Sequence, residues 1–445
     1  MTDYDLIILG SGSAASKVAH AAASKGWDVA IAESGRVGGT CALRGCMPKK
    51  VYVGAAETID WANRLNDHGI TTNVDVDWQD VQAFKQSFTD DFNEGIRQGF
   101  EDAGIDILKG RARFRDEHTV TVKNTSHTAE SFLIATGAKP RPLSFTGHDH
   151  LITSDEFLNL QALPDNIVFV GGGYISFEFA HVAARTGSEV TILQRDDQPL
   201  PMFEASIVDE LLNASEETGI DIQLNTQAGE VEKHGSRFHV YDEDGEHIQE
   251  TDLVVHGAGR VPQVDDLGLD KAGVDTEHRG VTVDDALQTT QEHVYAAGDC
   301  AASPGYPLTP IATMEGQTVT HNLLHEEATK PDYTGMATTL FSIPPVASVG
   351  MQESQVEEKG YEYTVNEGES GSWFSSQRIG VDHGRYKVII DDATDEILGA
   401  HLLGHNAEEV INVFAAAIRH DITASELKAT PWSYPTSIAD TDYML

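Results

Sequence analysis

Two stretches decide how this chain folds: LIILGSGSAASKVAHAAASKGWDVAIAE, residues 6–33, and IVFVGGGYISFEFAHVAARTGSEVTILQ, residues 167–194. They are alike at an offset of 161 residues, with Gly10, Gly12, Ala19, His20, Gly26, Val29 and Ile31 matching Gly171, Gly173, Ala180, His181, Gly187, Val190 and Ile192. Each reads as a short apolar strand, a glycine turn, an alanine-rich helix closed by glycine, and a second apolar strand. This is a βαβ dinucleotide fingerprint written twice. The first glycine permits a tight turn, the second lets a pyrophosphate approach the backbone, and the helix N-terminus offers amide donors and a positive dipole. Ser13 and Ala14 open the first helix; Tyr174 and Ile175 open the second. One such motif is a weak signal, but two in strand–turn–helix context are strong.

The copies differ where the second strand ends. Glu33 stands 23 residues after Gly10, where a carboxylate hydrogen-bonds an adenosine ribose 2′-hydroxyl. Its counterpart is Gln194, followed by Arg195, and a neutral amide beside a guanidinium tolerates a 2′-phosphate that a carboxylate would repel. The first copy therefore suits FAD and the second favours NADPH. After about residue 335 the pattern changes to antiparallel strands (FSIPPVASVG, RYKVIID, EILGAHLLG), then an amphipathic helix at 407–420 with Val410, Ile411, Phe414 and Ile418 on one face. The expected fold is α/β: two Rossmann-like dinucleotide-binding domains plus a C-terminal α+β dimerisation domain. The expected boundaries are 1–148 for FAD, 149–266 for NADPH, 267–334 completing the FAD domain, and 335–445 for dimerisation.

Composition excludes several partners. The chain has 445 residues, 71 Asp plus Glu against 30 Lys plus Arg, and a formal net charge of −41. Such a field repels nucleic acid and anionic membranes. The acids are spread along the chain, as on the surfaces of proteins from halophilic archaea, where salt screens the self-repulsion. There is no run of eighteen apolar residues, and the N-terminus lacks the basic region of a signal peptide, so a soluble cytoplasmic protein is expected.

GGTCALRGCMPKK, residues 38–50, holds two of the three cysteines. A structural staple, a pair of metal ligands and a redox pair are the readings to weigh. No further His or Cys stands at ligand spacing, so no metal is expected, and three cysteines do not make a secreted disulfide framework. VYAAGDC, residues 294–300, reads as another apolar strand, and Cys300 after Asp299 reads as inert packing.

With GSGSAA, Glu33, GGTCALRGCMPKK, ATG, GGGYISFE, GAGRVP, AAGDC and LTP in order, the chain resembles the flavoprotein disulfide reductases from end to end. The family includes glutathione reductase, dihydrolipoamide dehydrogenase and mercuric reductase. The resemblance implies that Cys41 is the interchange thiol that attacks a substrate disulfide and that Cys46 lies against the flavin as its charge-transfer partner. It implies that Lys49 sits near the flavin, paired with Glu178, and that Tyr174 covers the nicotinamide pocket. Asp299 would hold the ribityl chain, with Gly39, Thr40, Ala112, Thr136, Gly137 and Thr309 as further FAD contacts; Gly259 would join the NADPH site.

The chain also departs from its relatives. Most carry a His near the C-terminus with a Glu five residues on, reaching the partner subunit of a homodimer to protonate the leaving thiolate. Here Tyr434 and Ala439 occupy those positions, with Asp440 one residue later. A tyrosine there is like mercuric reductases, but no cysteine follows Cys300 to bind Hg(II). Gln317 stands where glutathione reductases place a substrate-binding arginine, and Gln194 disfavours the NAD-linked dihydrolipoamide dehydrogenases. The expected substrate is therefore another small disulfide; with the halophilic composition, bis-γ-glutamylcystine. A flavoprotein that lost turnover and serves as a redox sensor is the alternative from another class.

Overall fold

The computed structural model describes residues 2–71 and 74–445, and the chain divides into two compact units. The first gathers residues 1–48, 84–141 and 260–333; the second gathers 49–83, 142–259 and 334–445.

In the first unit, parallel strands run in the order Asp106–Lys109, Val29–Glu33, Tyr4–Leu9 and Thr125–Ile134, with Val294–Ala296 on the far side of Thr125–Ile134. The Tyr4–Leu9 strand is apolar at every position from Leu6 and buried there on both faces, as the centre of a covered parallel sheet requires. The helix Ser13–Ser24 follows it, its alanines and Val18 closing against Leu6, Ile8 and Ile31. Thr125–Ile134 runs to ten residues, because its first half pairs antiparallel with Thr119–Val122. The strand expected at 294–300 ends at Ala296, since Gly298 turns the backbone with φ of +75°.

In the second unit the second copy builds a four-stranded parallel sheet: Ile220–Gln223, Glu189–Leu193, Asn166–Val170 and Leu253–His256. The helix Tyr174–Arg185 covers it, with Phe177, Ala180 and Ala183 wholly buried. The C-terminal segment forms a five-stranded antiparallel sheet in the order Ala337–Leu340, Val346–Gly350, Ile397–Leu403, Arg385–Asp391 and Tyr363–Glu369. The helix Ala407–Arg419 lays Val410, Ile411 and Phe414 on that sheet, with Ile418 partly buried beside them. Among the described residues no helix is long and apolar enough to cross a membrane.

Candidate active site

The first copy shapes a cavity of about 220 Å³ in the first unit, lined by Gly10, Gly12, Glu33, Gly39, Thr40, Ala112, Thr136 and Gly137 among others. Its floor depends on glycine. Gly10 has φ of +105°, and a Cβ there would meet Ala135 O at 2.2 Å; Gly171 repeats the conformation in the second copy with φ of +102°. Gly39 lies so close to Gly12 that a Cβ would stand 2.6 Å from the Gly12 Cα. The segment that carries the cysteines is thereby brought onto the glycine turn.

Glu33 ends its strand with both oxygens engaged. Oε2 accepts from Ser11 Oγ at 2.6 Å and Oε1 from Gly35 N at 2.7 Å, while Ser11 Oγ accepts in turn from Gly38 N at 3.0 Å. Thr136 Oγ1 is buried and has no hydrogen-bond partner among the described residues. A glycine-floored cavity, an anchored carboxylate and an unsatisfied hydroxyl are what the phosphates and ribose of FAD need. Ser13, Ala14, Cys46, Asp299 and Thr309 are in the same unit but outside the cavity lining. Burial pushes the Asp299 carboxyl up, against the pull of Arg260.

The cysteines sit on two successive helices. Cys41 is half-buried in the six-residue helix Gly39–Arg44; after a break at Gly45, the exposed Cys46 opens the helix Cys46–Arg64. A cysteine in the first turn of a helix has a nearby positive dipole to favour its thiolate. Cys46 Sγ lies 3.7 Å from the hydroxyl of Thr309, the first residue of the helix Thr309–Leu324. Cys300, by contrast, is wholly buried; its thiol donates to Ile134 O at 3.3 Å, and burial pushes its pKa up to about 11.

In the second unit, Lys49 Nζ meets Glu178 Oε1 at 2.6 Å, both residues being buried. The same oxygen accepts from Phe341 N at 3.0 Å, and the Phe341 ring lies 4.0 Å below the ammonium. Breaking such a buried pair from one side costs about 3–5 kcal/mol, so the two charges hold each other in place. Lys49 is three residues after Cys46 in one helix, hence on the same side one turn on.

Tyr174, 42% exposed, and Ile175 open the helix that follows Gly171 and Gly173, and Gly259 follows the strand Leu253–His256 with φ of +93°. Gln194 is buried: Oε1 accepts from Gly172 N at 2.9 Å, and Nε2 donates to Gln198 O at 3.1 Å. Arg195 is exposed and pairs with Asp196 at 3.0 Å. The expectation of a guanidinium open to a 2′-phosphate left Asp196 out.

Tyr434 is 77% exposed, beside a small cavity of about 150 Å³ lined by Trp373, Phe374, Arg378, Asp440 and Tyr443. Sequence reading missed Ser11, Phe341 and Glu315. Ser11 lies inside the quoted motif, but a bridging hydroxyl there has no signature of its own.

Comparison with known proteins agrees with this geometry. Residues 4–316 match the family model described as pyridine nucleotide-disulphide oxidoreductase, and residues 336–442 match that family's dimerisation domain. Glutathione reductase of Nostoc sp. is 32% identical, covering 98% of both chains. Mercuric reductase of Staphylococcus aureus is also 32% identical, over 96% of this chain and 79% of its own. Dihydrolipoyl dehydrogenase 3 of Haloarcula marismortui is 29% identical, over 98% and 94%. The HOCl-induced flavoprotein disulfide reductase RclA from Escherichia coli superposes with a TM-score of 0.90 at 27% identity, covering 99% of each chain. The chain therefore belongs to the pyridine nucleotide-disulphide oxidoreductase family, as an oxidoreductase with FAD and a nicotinamide nucleotide, NAD(P)H, as its cofactors.

Proposed function

We propose that the protein is a cytoplasmic, homodimeric, NADPH-dependent reductase of a low-molecular-weight disulfide, with bis-γ-glutamylcystine as substrate, working through Cys41 and Cys46. The observation that carries this reading is the cysteine pair itself, set on two successive helix starts directly after the glycine floor of the first cavity.

When bound, FAD supplies the passage of two electrons from a nicotinamide hydride to a disulfide. The chain's residues do the rest. The Cys41 thiolate attacks one sulfur of the substrate, the substrate S–S bond breaks, and the first thiolate leaves and takes a proton. The Cys46 thiol then gives up its proton and attacks Cys41 Sγ, closing the Cys41–Cys46 disulfide, and the second substrate thiolate leaves and takes up a proton. Glu178 holds the Lys49 ammonium in place during both steps. Tyr434, from the partner subunit, gives the proton to the first leaving thiolate; the match to a dimerisation domain supports a dimer. FAD is held by Gly10, Gly12, Ser13, Ala14, Glu33, Gly39, Thr40, Ala112, Thr136, Gly137, Asp299 and Thr309. NADPH is held by Gly171, Gly173, Ile175, Gln194, Arg195 and Gly259 beneath Tyr174.

Hg(II) as substrate would need further soft ligands, and the chain has three cysteines, the third wholly buried. NADPH oxidation measured in molar KCl against bis-γ-glutamylcystine, glutathione disulfide, lipoamide and Hg(II) tests the substrate. Turnover at least tenfold faster with bis-γ-glutamylcystine is expected. Preference for lipoamide with NADH would overturn the reading.

A further inference from the structure

Glu315 is a buried carboxylate that the reaction above does not use. It is 1% exposed, in the helix Thr309–Leu324, and belongs to none of the motifs in the sequence. Burial pushes its carboxyl up, and what draws it back is a set of hydrogen-bond donors, with no cation among them: Ser303, Gly298 N and Tyr333. An anion buried this way is tolerated only when its lone pairs are filled.

The two oxygens divide that work. Oε1 accepts from Ser303 Oγ at 2.5 Å and from Tyr333 OH at 2.8 Å, stapling the loop after Cys300 to the helix. Oε2 accepts from Gly298 N at 2.6 Å. Gly298, at φ of +75°, is the pivot that ends the strand Val294–Ala296 and sets the direction of the next residue, Asp299. Ala297 N donates to Ile134 O at 3.1 Å, so this turn is fastened to the strand that leads into Thr136 and Gly137 on the cavity wall. Asp299 is itself a desolvated carboxyl. Two buried acids close together repel each other, and a hydroxyl-bearing ligand at Asp299 relieves that cost.

We propose that Glu315 is a positioning residue for FAD: through Gly298 N it fixes the turn that presents Asp299 to the cofactor. The proposal rests on the reading of Asp299 as an FAD contact.

The two arms of the carboxylate make the test. The FAD-loaded enzyme is diluted, and release is followed by the fluorescence of free flavin, with the thermal midpoint measured in parallel. Glu315→Gln, whose amide cannot accept from all three donors, should release FAD about tenfold faster or more, the scale of a lost hydrogen bond to a charged group. Tyr333→Phe removes a donor to Oε1 alone and should lower the midpoint while releasing FAD at the wild-type rate. The effects of Glu315→Gln and Asp299→Asn should combine to less than their product, because both act at one contact. Should Glu315→Gln not fold, Glu315→Asp, which shortens the arm, carries the same expectation. Equal release from the Glu315 and Tyr333 variants, or wild-type release from the Glu315 variant, would overturn the proposal and leave a mere staple. A wild-type protein that holds no FAD would instead overturn the functional reading beneath it.

Discussion

The two copies of the βαβ motif share a backbone and differ in what they do with the residue at the end of the second strand. In the first, Glu33 collects Ser11 Oγ and Gly35 N and lines a cavity. In the second, Gln194 is turned inward onto Gly172 N and Gln198 O. The same position thus braces the glycine turn in both copies. Only in the first does the side chain also carry charge. In the second the charge belongs to the next residues, Arg195 and Asp196, which pair with each other. A motif residue is therefore best read for two duties, its bond to the turn and its charge toward the ligand.

Substitutions can pull those duties apart. Glu33→Ala removes both, losing two charge-assisted hydrogen bonds at about 1.5–3 kcal/mol each. FAD affinity should fall roughly a hundredfold or more, as read by retention on ultrafiltration. Were Glu33→Ala to hold FAD like the wild type, the first copy would not be the FAD site.

Gln194→Glu keeps an acceptor for Gly172 N and adds charge alone. The kcat/KM for NADPH should drop about tenfold, the scale of one unfavourable contact of about 1.4 kcal/mol with a 2′-phosphate, while NADH is used at least as well as before. A parallel loss with both nucleotides would mean the brace had been damaged and the charge argument untested by this variant; Asp196→Asn then decides it. That change frees Arg195 from its partner and weakens the long 3.4 Å bond from Gln194 Nε2 to the same oxygen, while leaving Gln194 Oε1 on Gly172 N. Exposed pairs contribute about 0.2–1 kcal/mol, so NADPH use should improve by at most about fivefold at low salt and less in molar KCl.

The units also differ in their response to pH. The helix Ala205–Glu217, which follows the second copy, carries Glu210 and Glu217; these contact His383 Nδ1 at 2.6 Å and Nε2 at 2.8 Å. Burial alone would lower the His383 pKa, but the two carboxylates raise it above the ordinary value. A raised folded-state pKa adds stability that is complete below the unfolded value, near 6.5, and is lost as pH rises through the folded value. Corrected for the base-catalysed rise in intrinsic exchange, protection in Ala205–Glu217 should therefore fall from neutral to mildly alkaline pH, with that of Ser13–Ser24 unchanged and His383→Gln abolishing the difference. This is the smallest of the expected effects.

Much of the architecture was legible because it is periodic. The repeated strand–turn–helix pattern fixed the type of each element within both copies, and the apolar face of Ala407–Arg419 stood out at helical spacing. The end of the strand at Ala296 was not legible, because Gly298 in VYAAGDC reads equally as strand or pivot. The split of Cys41 and Cys46 onto two helices depends on the break at Gly45, and a single glycine is tolerated inside a helix often enough that it does not mark a break by itself. The Lys49–Glu178 ion pair was legible, because an ammonium and a carboxylate carry their own chemistry. The site was not legible for Phe341, which serves Glu178 partly through a backbone N–H 163 positions away, nor for Glu315, whose partners are an amide and two hydroxyls of no motif. Asp196 adjoins Arg195, and its carboxylate opposes the preference that Gln194 and Arg195 alone suggest.

The central claim is that NADPH reduces a Cys41–Cys46 disulfide in this chain. Counting thiols tests it most directly. The air-oxidised enzyme is treated anaerobically with one equivalent of NADPH, denatured, alkylated and weighed by mass spectrometry, beside an untreated sample. Of the three cysteines, the untreated protein should alkylate at Cys300 alone and the NADPH-treated protein at all three. An equal count in the two samples would contradict the account.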